Sequence, residues 1–184
     1  LNIKDDELVI EHKGIYSVEK FLVARRLMYW QVYLHKTSLA AEQLIIRVLK
    51  RAKELSRQGV KLEASKPLQF FLNNEITLNE FDDNCLETFA KLDDYDIISA
   101  MKAWQHHDDF VLSNLCEMIV DRQLLKVKIK KKPIKEDFLY AQINSLKEKY
   151  NITEDEAKYF VFQGEISNQA YTRSKQNIKI LYKS

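Results

Sequence analysis

The chain has 184 residues, 46% of them hydrophobic and 30% charged, with 3 Gly and 2 Pro. That balance describes a folded, helix-rich chain and excludes a disordered or fibrous one. A net charge of +2 is too balanced to announce a nucleic-acid or membrane partner through global charge, so only local patches could do so. Two cysteines, Cys85 and Cys116, are too few for a secreted disulfide scaffold and fit a reducing cytoplasm. No run approaches the roughly 18 apolar residues of a membrane span, and no signal peptide is visible.

Leu8-Val9-Ile10, between acidic Asp5-Asp6-Glu7 and Gly14, reads as a short strand or extended entry. Ser17 then serves as an N-cap, with Glu19 in the first turn. From there to Gly59 neither Gly nor Pro intervenes, and apolar residues recur at helical spacing from Val18 to Leu55. This is one long helix or two nearly collinear ones, stopped at Gly59. Pro67 opens a short helix ended at Asn73-Asn74. Asp82 or Asp83, Asp93-Asp94, and Asp108 or Asp109 each start another, carrying Phe89, Trp104 and Leu115 respectively on their apolar stripes.

The texture changes at Leu125. Lys126-Val127-Lys128-Ile129-Lys130 alternates as a half-buried strand does, closed by Lys131-Lys132-Pro133. A helix runs from about Lys135 to Tyr150, and Thr153 with Glu156 has the spacing of a capping box. Tyr159–Phe162 and Ile178–Tyr182 read as strands. The expected fold class is mainly α, a long central helix with short packed helices followed by a small α+β C-terminal subdomain. The expected domains are a helical body over residues 1–124 and the subdomain over 125–184.

Three constellations bear on chemistry. His107-Asp108 spells an HD dipeptide, but His12 and His35 stand at no helpful helical spacing from it, and Asp108 or Asp109 has a simpler role in capping the next helix. No metal ligand is therefore assigned in this chain. The lysine cluster Lys126, Lys128, Lys130, Lys131, Lys132 and Lys135 could meet a polyanion. Its alternation with Val127 and Ile129 instead favours an edge strand whose lysines deter aggregation, which argues against nucleic acid. The third is the helix face on which Arg25, Tyr29, Tyr33 and Lys36 share an 80° sector at 100° per residue. Arg and Lys suit phosphate, and a Tyr ring or hydroxyl suits sugar or base. An ordinary amphipathic helix with core tyrosines and outward cations fits the same spacing.

The run Phe21-Leu22-Val23-Ala24-Arg25-Arg26-Leu27-Met28-Tyr29-Trp30-Gln31-Val32-Tyr33-Leu34-His35-Lys36 carries a resemblance. So does the later stretch from Leu92-Asp93-Asp94-Tyr95-Asp96 through Trp104 and His107. Together they resemble the HD-domain deoxynucleoside triphosphate triphosphohydrolases, relatives of dGTPase and of the vertebrate SAM-and-HD-domain enzyme. The resemblance is strongest over residues 15–58 and 92–125. It implies that Arg25 holds substrate phosphates and that Tyr33 abuts the deoxyribose. It further implies that His35 and Lys36 lie near a regulatory nucleotide site in allosteric members. The family's four metal ligands lie upstream of this pattern, so the resemblance implies a C-terminal portion without the HD core that would hold a Mg- or Mn-type ion. The implied activity of the complete protein is hydrolysis of a dNTP, dGTP-like, to deoxynucleoside and triphosphate in the cytoplasm. This chain would complete the substrate pocket, contribute to a homo-oligomer, and be inactive alone. The rival expectation is a non-catalytic helical interaction module.

Overall fold

The computed structural model describes residues 1–130, 132–166 and 177–182; Lys131 of the lysine cluster lies outside them. The fold is mainly α. A long central helix carries shorter packed helices, and a small β-containing part receives its last strand from the C-terminal residues. The chain divides into two compact units, one made of Leu1–Leu39 with the described residues from Gly164 onward, the other of Ala40–Gln163.

In the first unit, β1 (Asn2–Lys4) and β2 (Glu7–Glu11) form an antiparallel hairpin, and β3 (Lys179–Leu181) pairs in parallel with β2. The hairpin turn is Asp5-Asp6, with φ of 52° and 60°. Two successive left-handed residues match the right-handed twist of the flanking strands, and aspartate tolerates that region better than most side chains. Alternation and apolar content point to β2 and β3 in the sequence but not to β1, because a three-residue strand with an exposed face leaves almost no pattern. An ion pair between Lys179 and Glu7 and a ring contact between His12 and Tyr182 accompany the β2–β3 pairing.

Helix α1 (Ile15–Met28) begins earlier than expected. Ser17 lies inside it rather than at its N-cap, which is Gly14 with no side-chain cap bond. The turn His12–Gly14 already feeds helical geometry into Ile15, so no capping hydroxyl is required. Tyr29–Tyr33 is a π-helical turn, after which Leu34 leaves helical geometry and α2 starts at Lys36 (Lys36–Arg57). The uninterrupted apolar pattern thus resolves into two helices separated at Leu34-His35. Glycine and proline are not the only ways to break a helix, and a π-turn does it here.

In the second unit, α2 buries Ala40, Leu44, Val48, Ala52 and Leu55, a stripe repeating every three or four residues. At its end Gly59 adopts φ 84°, and the Gly59 and Val60 amides donate back to the Ser56 and Leu55 carbonyls. Only glycine takes this left-handed cap without strain. The stripe packs with α3 (Lys66–Asn73), α5 (Asp94–Trp104) and α6 (Phe110–Val120) around Trp104, whose indole N–H donates to the Glu63 carbonyl at 2.8 Å. The short helices start where carboxylates and hydroxyls cap them. Ser65 caps α3, Asp82 caps α4 (Asp83–Ala90), Asp93 caps α5 in a capping box with Asp96, and Asp109 caps α6. Helix α7 (Glu136–Tyr150) ends on left-handed Asn151, and Thr153 with Glu156 forms the expected capping box of α8 (Glu154–Ala157).

Two expected strands are absent among the described residues. Lys126–Lys130 forms no ladder, because alternation sets which side chains face out but a strand also needs a neighbour to pair with. The account of its lysines as edge-strand protection falls with it. Tyr159–Phe162 continues the helical turn of α8, with the Phe160 and Val161 amides donating to the Ala157 carbonyl, and Tyr159 and Phe160 pack onto the core. Four consecutive aromatic and β-branched residues have strand propensity, but packing decided their backbone.

Candidate functional site

Helix α1 and the π-turn after it contain no buried residue, although they carry Phe21, Val23, Leu27, Met28, Trp30, Val32 and Tyr33. Within α1 the apolar residues are spread around the axis rather than gathered on one stripe. At 100° per residue, one face holds a shallow groove lined by Tyr16, Glu19, Lys20, Val23, Ala24 and Leu27. The opposite face holds Arg25, with Tyr29 one turn on.

That second face is ordered by contacts between successive turns. Arg25 donates from Nη2 to the Tyr29 hydroxyl at 3.3 Å, and its guanidinium carbon lies 5.3 Å from the Tyr29 ring centroid. The Tyr29 and Tyr33 rings follow with centroids 5.0 Å apart, tilted by 46°. The result is a row of Arg25, Tyr29 and Tyr33, open to solvent. Tyr33 closes the π-turn, and such turns recur at functional positions because the wider turn re-aims side chains. Chemically the row offers a planar, permanently charged fork for phosphate and two aromatic faces for a sugar or base.

The structure links Arg25 to Tyr33 through Tyr29, which helical spacing already puts on the same face. Its spacing of four residues from each neighbour was the available signal. His35 acts locally, its Nδ1 accepting from the Thr37 amide at 3.2 Å as a cap at the start of α2. Lys36 is the first residue of that helix and is exposed. These two residues therefore sit at a helix N-terminus, where backbone amides favour an anion.

The HD dipeptide is used for folding. The His107 Nδ1 accepts from the Asp109 amide at 3.0 Å, and Asp108 is exposed. Asp109 accepts from the Leu112 amide at 2.8 Å and from Arg51 in a two-pronged pair, Nε to Oδ1 at 3.0 Å and Nη2 to Oδ2 at 2.6 Å. Burial alone would push the Asp109 carboxyl up, but the bonds from Arg51 and Leu112 and the arginine's charge hold it below the usual carboxylate range. The bond it donates to Asp109, opposed by burial and reinforced by Glu54, raises Arg51 further above its ordinary value. Among the described residues no group of three or more His, Cys, Asp or Glu could hold a metal ion. The divalent ion implied by the resemblance therefore does not fit the donor set these residues offer. Burial pushes the Cys116 thiol up to about 12, so it is no nucleophile at neutral pH.

Comparison with other proteins places this face in context. Residues 1–66 match the family model described as an HD associated region. The chain is similar to the uncharacterized protein YwfO of Bacillus subtilis, 33% identical over 143 residues, covering 78% of this chain and 31% of that protein. It is also similar to the crystal structure of a phosphohydrolase from Bacteroides thetaiotaomicron. There the identity is 49% and the TM-score 0.91, covering 98% of this chain and 45% of that one. The chain thus spans less than half the length of either relative. The first 66 residues of the chain thus match an HD associated region, and nearly the whole chain superimposes on part of a phosphohydrolase with which it shares 49% identity.

Proposed function

We propose that this chain is the C-terminal, substrate-completing and assembly region of a cytoplasmic, metal-dependent phosphohydrolase. The complete protein hydrolyses a deoxynucleoside triphosphate, dGTP-like, to deoxynucleoside and triphosphate. The observation that carries this reading is the solvent-open row of Arg25, Tyr29 and Tyr33 on a helix with no buried residue, inside the segment that matches an HD associated region. Arg25 binds phosphate oxygens through its fork, and the Tyr29 hydroxyl fixes one arm of that fork before substrate arrives, which lowers the ordering cost of binding. Tyr33 presents its ring to the deoxyribose. His35 and Lys36 contribute to a regulatory nucleotide site. The divalent ion belongs to an HD core and not to any described residue of this chain, so the chain alone is inactive. On this reading the helical body over residues 1–124 carries the nucleotide face and the contacts of a homo-oligomer, and residues 125–184 form a small subdomain after it.

The test is release of inorganic triphosphate from each of the four dNTPs by the full protein with manganese or magnesium. Turnover with one or more dNTPs, lowered by Arg25→Ala at unchanged melting temperature, supports the reading. Wild-type kinetics in Arg25→Ala would remove it in favour of an interaction module in which α1 docks a protein partner.

A further inference from the structure

Arg47 and Arg51 stand one turn apart on α2, within the second unit, and their surroundings are opposite. Arg51 is fully engaged: Asp109 and Glu54 accept from it and raise its pKa. Arg47 has no carboxylate. Its guanidinium carbon lies 3.3 Å from the centroid of the Phe162 ring, the separation of two planes in stacking contact. Its Nε is buried without a hydrogen-bond partner, and among the described residues no ion pair reaches it. Burial lowers its pKa, offset only in part by Tyr159. Tyr159 is no counter-ion, because burial and the bond to Glu54 push its own pKa up and keep it a neutral phenol.

A guanidinium lying flat on a ring spreads its N–H groups in the ring's plane. With the Nε edge sealed, the open edge is the fork of the two Nη nitrogens, neither of which is buried without a partner. Gln43 and Lys50 flank Arg47 by one helical turn on either side, about 40° and about 60° from it around the axis and in the same direction. Lys50 is exposed and Gln43 partly so, and among the described residues neither side chain is held by an ion pair or hydrogen bond.

We propose that Arg47, Lys50 and Gln43 form a binding site for a phosphate group, inorganic or carried on a nucleotide. The arginine fork takes two phosphate oxygens, Lys50 adds a point charge, and the Gln43 amide adds a neutral donor. Charge selects phosphate over carboxylate. A carboxylate would satisfy the fork and leave Lys50 unbalanced, whereas a phosphate carrying nearly two negative charges matches both cations. Stacking on Phe162 fixes the fork before the ligand arrives, which lowers the ordering cost of binding. The same partly buried surroundings that disfavour a lone charge strengthen its attraction to an anion. The inference concerns residues of α2 and does not rest on the catalytic reading of Arg25.

The experiment is modification of the full protein by phenylglyoxal, with the reaction at each arginine followed by peptide mass spectrometry. It is run without added anion and with increasing inorganic phosphate, inorganic triphosphate or dGTP. Arg47 should react without anion, and its rate should fall to about a tenth at ten times the half-protecting concentration, as occupancy of a single site requires. Arg51, held by Asp109 and Glu54, is the internal control and should not respond to phosphate. Lys50→Gln and Gln43→Ala, with folding checked by circular dichroism, should each raise the half-protecting concentration by roughly two- to fivefold, the size of one partly exposed polar contact. Equal protection by the three anions supports the site and identifies the phosphate group itself as the ligand. Stronger protection by triphosphate or dGTP supports it and identifies a polyphosphate chain as the source. Arg47 unreactive without anion would mean that another part of the protein occupies its fork, and would overturn the proposal. So would an Arg47 that reacts but is protected by none of the three, equal protection of Arg51, or protection unchanged in both variants. Triphosphate release, read separately, decides the catalytic reading: absent turnover with Arg47 protected leaves this site standing, and turnover with Arg47 unprotected leaves the catalysis standing.

Discussion

Helices α1 and α2 follow each other in one uninterrupted apolar pattern and meet opposite fates. Helix α2 gathers its apolar residues on a stripe and buries five of them, with Leu44, Val48 and Ala52 fully inaccessible. Helix α1 distributes them around its axis and buries none. Apolar content and helical period therefore do not by themselves make a core helix. A stripe directs burial to one side and can be satisfied by one neighbour, whereas an all-round distribution needs cover on several sides. Helix α1, in the segment that matches an HD associated region, leaves its apolar residues outside any core.

The largest effects are expected around α2. Trp104→Ala, at the centre of the packing around that helix, should cost about 3–5 kcal/mol and Leu44→Ala about 2–5 kcal/mol, read by urea unfolding of this chain. Values below about 1 kcal/mol would mean that the second unit is not organised around this core, and the distinction between the two helices would lose its basis.

Next in size is the polar link that pins α2 to α6. Asp109→Asn keeps an N-cap but removes the partner of Arg51, a pair whose side chains are 13% and 14% exposed, and should cost about 3 kcal/mol. The pH dependence has a definite sign. The Asp109 carboxyl titrates below its ordinary value in the folded state, so its contribution is fully present above about pH 4 and is lost as pH falls through the lowered folded value. Melting curves of Asp109→Asn should therefore decline less steeply on the acid side than those of the parent protein. Parallel acid-side profiles would remove Asp109 as the group responsible.

For α1 the expected effects are on chemistry rather than stability. In the full protein Arg25→Ala should lower kcat/KM about ten- to a hundredfold, the loss of one charge-assisted bond worth roughly 1.5–3 kcal/mol, with little change in melting temperature. Tyr33→Phe keeps the ring beside Tyr29 and removes only the hydroxyl, so its effect should appear in turnover or nucleotide selectivity.

The smallest effect separates the two helices most directly. Phe21 is 62% exposed, and Phe21→Ser should shift the unfolding of this chain by no more than about 0.5 kcal/mol. The same substitution in the full protein should cost several times more if a further domain covers α1. Equal, small values in both would leave α1 a solvent helix.

Much of the architecture was legible because its causes are local. Asp82, Asp93 and Asp109 each precede an apolar stripe, and a carboxylate that can accept from amides two or three residues ahead starts a helix wherever it stands. Gly59 ended α2 for an equally local reason, as did the Thr153–Glu156 box at α8. The shared face of Arg25, Tyr29 and Tyr33 follows from helical spacing, whereas the guanidinium-to-ring and ring-to-ring contacts that join them belong to the folded helix.

Other features depended on partners distant in sequence, and no local pattern carries that information. Lys126–Lys130 alternates as a strand should, yet strandness is a property of two segments, and no described segment pairs with it. Val9 and Lys179 are register partners across 170 residues of chain, which only the folded sheet reveals. His107-Asp108 reads as a metal motif, but Arg51, reaching across from α2, turned the neighbouring Asp109 into an ion-pair partner and a helix cap. Where most helices start and stop is written in the order of the residues, because caps and stripes act over a few positions. Which apolar stripes are buried and which charges are paired is settled by packing in three dimensions, because burial and pairing are free energies of juxtaposition between elements far apart in the chain.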